Sequence, residues 1–294
     1  MAVRGTMEES YGKLSSYLFM LAKNNLGTIT DIQTDEHGHF RHMFMSLGCS
    51  IRGFRYCRPV LCVDASFLKH KIGGQVLVAI ALDANEQLFP VAFGVVDLEN
   101  NNSWTYFMQQ LRVAIELVPY LVFVSDRHPS IANALSAVFP KAHHAACTYH
   151  IKMNIMAKFK TDNFHDEFDM ASRAYIVPQF HQHFDKIKTK DPRIAAYLEQ
   201  IGVERWSRAF FPSFRYNQMT AEKARFYNVN PLNRFEFHVN DGEHDFQVDL
   251  QTRTCTCRAF DLSGLPCKHA LATARSRKTI PYEYCSSLEN DCIV

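Results

Sequence analysis

The chain has 294 residues, 47% apolar and 21% charged, a globular balance with ample material for a buried core and not that of a disordered segment. Its 32 lysines and arginines against 30 acids leave a net charge of +2, so charge alone neither assigns nor excludes a nucleic-acid partner. Nine cysteines in a chain this long argue against a disulfide scaffold and for a reducing compartment. The N-terminal MAVRGTMEESYGKL has no apolar signal core, and the most apolar region, QVLVAIALDANEQLFPVAFGVV, is broken by Asp83, Asn85, Glu86 and Gln87, so no membrane span is expected.

The first strong pattern is PVLCVDASF (59–67), an apolar run that reads as a buried strand stopping at Asp64. QVLVAIAL and LFPVAFGVV, joined by the polar DANEQ, read as a hairpin. NNNSWTYFMQQLRVAIELV reads as a helix capped by Asn102 or Ser103, with Trp104, Phe107, Met108, Leu111, Ile115 and Val118 at helical spacing. YLVFVSD (120–126) is a second short buried strand ending in an acid, and PSIANALSAVF opens a helix at Pro129. Another helix carries CTYHIKMNIMAKF. This order makes the strands ending at Asp64 and Asp126 parallel neighbours, because a right-handed helical crossover separates them. Both acids then face the crevice at the carboxyl ends of the strands, where open α/β sheets place their sites. The expected fold class is α/β, a ribonuclease-H-like mixed sheet with helices.

Residues 161–219 carry helical spacing, as in DPRIAAYLEQIGVERWSRAFF, and read as a helical hairpin. RFEFHVNDGEHDFQVDL alternates around NDG, a hairpin signal. Next comes CTCRAFDLSGLPCKHA, with the spacing C-x-C, nine residues, C-x-H. Three thiolates and an imidazole from Cys255, Cys257, Cys267 and His269 complete a tetrahedral Zn²⁺ shell with no open position, so the metal is structural. It contributes folding energy to a small ββα unit that cannot bury a core of its own. The competing readings are four unrelated residues or a redox pair; the two close pairs, the helix start at Pro266 and the hairpin favour the metal. Arg253, Arg258, Lys268, Arg275, Arg277 and Lys278 surround the site, with Asp261 the one acid between 251 and 279. That surface suits phosphate contacts, or is a solvated helix face.

These segments together resemble a family. LCVDASFLKHKIGGQVLVAIALDANEQLFPVAFGVVDLENNNSWTYFMQQLR resembles the core of the plant Mutator-like element transposases. FVSDRHPSIANALSAVFPKAHHAACTYHIKMNI resembles their second catalytic block, including the C-x-x-H of Cys147 and His150. FRYNQMT and NVNPLNRFEF resemble later landmarks, and C-x-C…C-x-H is similar to the SWIM-type zinc finger that closes such proteins. The resemblance runs from about residue 10 to 280. It implies a DDE-type transposase, in which three acids hold two Mg²⁺ ions that activate a water or a 3′-hydroxyl for phosphodiester attack. Asp64 is then the first acid and Asp126 the second. The third departs from the pattern. After YNQMT the chain runs straight into AEKARFYNVNPLNRFEF, without the long helical region found there in the family, and Glu222 is the nearest stand-in. His70 stands where the family usually has glycine. Two acids bind Mg²⁺ less tightly than three, because that ion demands near-ideal octahedral geometry.

The resemblance therefore implies a transposase-derived protein that binds zinc and DNA, with impaired cleavage and strand transfer. In the family the DNA target is the terminal inverted repeats, the location nuclear, and self-association as a homo-oligomer fits such a protein. The alternative is a non-catalytic domesticated module that binds protein or DNA. The expected segments are an N-terminal remnant (1–52), the transposase core (53–160), a helical segment (161–219) and the finger (220–294). Cys147 and His150, one helical turn apart, either face the acid site or pack a helix face, since two ligands do not hold zinc. His143 and His144 read as surface residues.

Overall fold

The computed structural model describes residues 6–69, 73–83, 87–118, 121–174, 176–212, 227–263, 266–277 and 279. The chain divides after Cys147 into two compact units.

The first unit opens with two helices, Met7–Gly12 (α1) and Leu14–Asn24 (α2). Thr6 and Glu9 close a capping box on α1: each side chain accepts the other's backbone N–H, at 3.2 and 3.0 Å. There follow Ile29–Thr34 (β1), Phe40–Ser46 (β2), Gly48–Phe54 (α3), Val60–Phe67 (β3), Gln75–Leu82 (β4), Leu88–Val96 (β5), Asn101–Ile115 (α4), Val122–Ser125 (β6), Pro129–Val138 (α5) and His143–Ala146 (β7). The strands form one mixed sheet in the order β1-β2-β5-β4-β3-β6-β7. β3–β6 and β6–β7 are parallel and the remaining pairs antiparallel. This arrangement is compatible with the ribonuclease-H-like expectation.

Three details depart from the sequence reading. The sheet extends upstream of residue 53, because β2 pairs with β5 and β1 with β2; their mixed segments ITDIQT and FRHMFMS carry no clean apolar alternation. β3 does not stop at Asp64: its ladder with β4 continues to Phe67↔Gln75, so the acid lies inside a strand. The cap of α4 is Asn100, whose Oδ1 accepts the Ser103 N–H at 3.0 Å; neither Asn102 nor Ser103 fills that role.

α4 lays Trp104, Phe107, Met108 and Leu111, all 0% exposed, into the core of this unit. Each such side chain stabilises the fold by roughly 1.5–3 kcal/mol of apolar burial. The contact needs glycine at position 94 of β5, where a Cβ would come within 2.8 Å of the Phe107 ring and 3.2 Å of the Met43 carbonyl oxygen. At the sheet's two edges among the described residues, β1 carries a register shift between Gln33 and Thr34, and β7 is four residues long.

The second unit begins with Thr148–Phe159 (α6), His165–Arg173 (α7), Val177–Lys190 (α8), Pro192–Ile201 (α9) and Val203–Trp206 (α10). α7 and α8 pack on each other as the expected helical hairpin, and α9 extends it. Asp191 starts α9 by accepting the Arg193 N–H at 3.0 Å, with Pro192 in the first turn. Phe168, Phe180 and Phe184 each approach the buried Trp206, at ring separations of 5.2, 5.5 and 6.0 Å.

The same unit contains the C-terminal finger, with Asn228–Pro231 (β8), Glu236–Asn240 (β9), Asp245–Asp249 (β10), Thr254–Cys255 (β11), Ala259–Ser263 (α11) and Lys268–Ser276 (α12). Its sheet is antiparallel in the order β11-β10-β9-β8. The expected ββα unit is β9, β10 and α12, which the fold widens with β8, β11 and α11. The NDG turn between β9 and β10 uses Gly242 at φ 99°, a conformation L-residues rarely adopt. The small core gathers Phe237, Val239, Val248, Leu250 and Phe260 with Cys255 and Cys267.

Candidate metal centre and acid pair

The acid pair is set by strand register. β3 and β6 pair in parallel through Cys62↔Val124, so two residues further on Asp64 and Asp126 share one row. By alternation Asp64 lies on the face opposite Leu61 and Val63, which are 0% and 1% exposed. Asp126 begins the turn into α5; its Oδ1 accepts the His128 N–H at 3.0 Å, an Asx turn. Asp64 Oδ1 accepts the Ala65 N–H at 3.0 Å.

β7 adds a third member to the row, which sequence patterning missed because HHAA is too short and too polar to read as a strand. Its ladder with β6 runs to Ser125↔Ala146, and Cys147 N–H donates to the Ser125 carbonyl at 2.7 Å, placing Cys147 level with Asp126. His144, expected on the surface, is half-buried, with Nε2 2.8 Å from Ser125 Oγ. Cys62 keeps an open flank, yet the protein atoms packed round its sulfur disfavour a thiolate. The neighbouring Cys147 and Asp64 add to this, and its pKa is pushed up to about 11. Among the described residues no group of three or more metal-ligating side chains includes Asp64 or Asp126. Glu222 lies outside the described residues.

The finger gathers all four expected ligands. The sulfurs of Cys255, Cys257 and Cys267 and a ring nitrogen of His269 lie within 4.8 Å of one another. His269 Nδ1 is 3.5 Å from Cys255 Sγ and 3.9 Å from Cys267 Sγ. A tetrahedral zinc with its usual bond lengths separates its ligand atoms by about 3.5–3.8 Å, so the donor set fits the ion. Cys255 ends β11, and its N–H donates to Asp261 Oδ1 at 2.9 Å. Arg258 takes φ 60°, and the next N–H, of Ala259, donates to Cys257 Sγ at 3.4 Å. Cys267 and His269 sit at the start of α12, where the Ala270 N–H donates to Cys267 Sγ at 3.4 Å. These N–H groups and the helix start favour sulfur as thiolate.

The thiols also act on one another. Cys255 and then Cys267 donate to Cys257 and hold its pKa well below the ordinary thiol range. Cys255 is pushed up, first by donating to Cys257, and Cys267 is pushed up first by burial. A divalent ion favours the charged form of every thiol around it, so zinc lets all three ionise.

The basic surface is partly committed. Lys268 Nζ donates to Asp241 Oδ2 at 2.9 Å, and Arg277 Nη1 to the Arg234 carbonyl at 2.9 Å. Arg258 is exposed and Arg253 half-buried.

Two protein-family models match the chain. The model of the MULE transposase domain matches residues 60–154, which include Asp64, Asp126 and Cys147, and that of the SWIM zinc finger matches residues 246–278, which include all four ligands. The chain is 22% identical over 185 residues to FAR1-RELATED SEQUENCE 10 of Arabidopsis thaliana, a stretch covering 58% of this chain and 26% of that protein. It thus spans about a quarter of that relative's length. No helix among the described residues is long and apolar enough to cross a membrane. The chain therefore carries a MULE transposase domain followed by a C-terminal SWIM zinc finger.

Proposed function

We propose that this is a transposase-derived, zinc-binding protein that binds DNA and is impaired in phosphodiester cleavage and strand transfer. The observation that carries the reading is a contrast within the chain. The finger assembles a complete four-donor centre, while the row of Asp64 and Asp126 is followed by a sequence in which YNQMT runs straight into AEKARFYNVNPLNRFEF, without the long helical region found there in the family. Zinc in the finger is structural, because four protein ligands leave no position for a reacting water. Asp64 and Asp126 offer hard oxygen donors suited to Mg²⁺, which when bound there would activate a water or a 3′-hydroxyl. Two carboxylates leave most of an octahedral shell to water, so the ion is held loosely and positioned poorly.

DNA contact in this reading rests on the exposed basic side chains of the finger, which need no catalytic metal. The terminal inverted repeats of a Mutator-like element are the ancestral target, the nucleus is the compartment and self-association is inherited. The deciding experiment combines salt-dependent binding to terminal-repeat DNA with a Mg²⁺/Mn²⁺ cleavage assay. Salt-sensitive binding without cleavage supports the proposal. Robust cleavage abolished by Asp64→Asn and by Glu222→Gln overturns the impairment, and an absence of binding at low salt overturns the DNA reading.

A further inference from the structure

The zinc ligand His269 is 0% exposed and has two nitrogens in different surroundings. Nδ1 faces the sulfurs. Nε2 is buried without a hydrogen-bond partner and lies 3.7 Å from Asp241 Oδ2. With Nδ1 ligating a metal, the neutral ring must carry its proton on Nε2, and a buried N–H requires an acceptor. The Asp241 carboxylate faces that nitrogen.

Asp241 sits in the NDG turn between β9 and β10, and its two oxygens do different work. Oδ1 serves the turn, accepting the N–H groups of His244 at 3.0 Å and Glu243 at 3.2 Å. Oδ2 accepts from Lys268 Nζ at 2.9 Å and faces His269. Lys268 is the residue before the ligand, so the side chain that steadies the carboxylate comes from the same helix start as the imidazole. The ring plane is restrained as well, since Phe246 stacks on it at 3.7 Å between centroids and 18°, and Tyr227 at 5.7 Å and 29°.

We propose that Asp241 is a positioning residue of the zinc centre: its carboxylate fixes the Nε2–H form of His269 and so presents Nδ1 to the metal. The present 3.7 Å exceeds hydrogen-bond range, and a shift of about 0.7 Å in one turn side chain closes it. The turn alone does not require an acid here, since Asn supports an Asx turn as well as Asp. The charge matters to the ring, because a carboxylate partner raises the basicity of a ligating imidazole, and losing such partners weakens metal affinity about 10–100-fold.

The inference rests on zinc occupying the finger, and the experiment separates the two. Zinc affinity of the full chain is measured by competition with a chromophoric chelator, for the parent, Asp241→Asn and Lys268→Met. The expected result is roughly tenfold weaker binding for Asp241→Asn and a smaller loss for Lys268→Met, which keeps the carboxylate. Long-range ¹H–¹⁵N spectra of the loaded parent should show His269 ligated through Nδ1 and protonated at Nε2, and this readout stands even where the variant folds poorly. Zinc held by Asp241→Asn within twofold of the parent, or ligation through Nε2, overturns this inference and leaves the zinc reading intact. A parent chain that binds no zinc overturns both.

Discussion

The sheet of the first unit and the sheet of the finger bury their apolar residues by different means. In the first, the helix α4 presses Trp104, Phe107, Met108 and Leu111 into a core of apolar side chains. In the finger a few apolar side chains share the core with Cys255 and Cys267, so two of the residues that fill it are also its metal ligands. A small fold that spends core positions on sulfur exchanges burial for chelation, and its stability then belongs to the complex with the ion.

The sharpest way to break this contrast is to remove the metal. Chelation, or Cys267→Ser, should unfold residues 228–276, because structural zinc contributes about 10–16 kcal/mol of apparent folding energy at neutral pH. Amide spectra should show that region collapsing while signals from 1–147 stay in place. Simultaneous loss of both regions would contradict the contrast. The converse experiment is Phe107→Ala, expected to destabilise the first unit by roughly 3–5 kcal/mol with zinc content unchanged by metal analysis.

The comparison can be sharpened at single thiols. In the finger Cys257 is driven toward thiolate by its neighbours, whereas Cys62 in the first unit is driven the other way, to about 11. Its raised pKa means the folded state favours the thiol, a preference fully present below the ordinary thiol pKa and lost as pH rises through about 11. At pH 7.5 Cys62 should alkylate on the order of a hundredfold more slowly than an ordinary exposed thiol of pKa near 8.5. Rapid labelling there would show that its surroundings do not suppress the thiolate. The smallest effect expected is at Arg258, whose φ of 60° strains a side-chain-bearing residue. Arg258→Gly should stabilise the zinc-loaded finger by about 1 kcal/mol, read as a higher melting temperature and, because folding and zinc binding are coupled there, an apparent zinc affinity about fivefold tighter.

The row of Asp64 and Asp126 was legible because parallel strands joined by a crossover must end on the same side, and both strands are apolar enough to recognise. The continuation of β3 past Asp64 was not, since DASF is no longer apolar and only the partner strand β4 holds it extended. β1, β2 and β7 were hidden for a related reason: each draws its conformation from neighbours already in the sheet more than from its own residues. The zinc ligands declare themselves by spacing. Asp241 does not, because in sequence it is one member of a turn motif, and only folding brings it beside His269.

The two flanks of the larger sheet have a consequence for how the molecules behave in a crowd. A strand with unpaired backbone on one side is a template on which a second chain can extend the sheet, the first step toward fibrous assembly. Here the β1 flank is interrupted by the register shift at Gln33/Thr34, and the β7 flank offers four residues, two of them histidines. Among the described residues neither presents a long, flat, apolar ladder, so growth of the sheet from molecule to molecule finds little purchase at these margins.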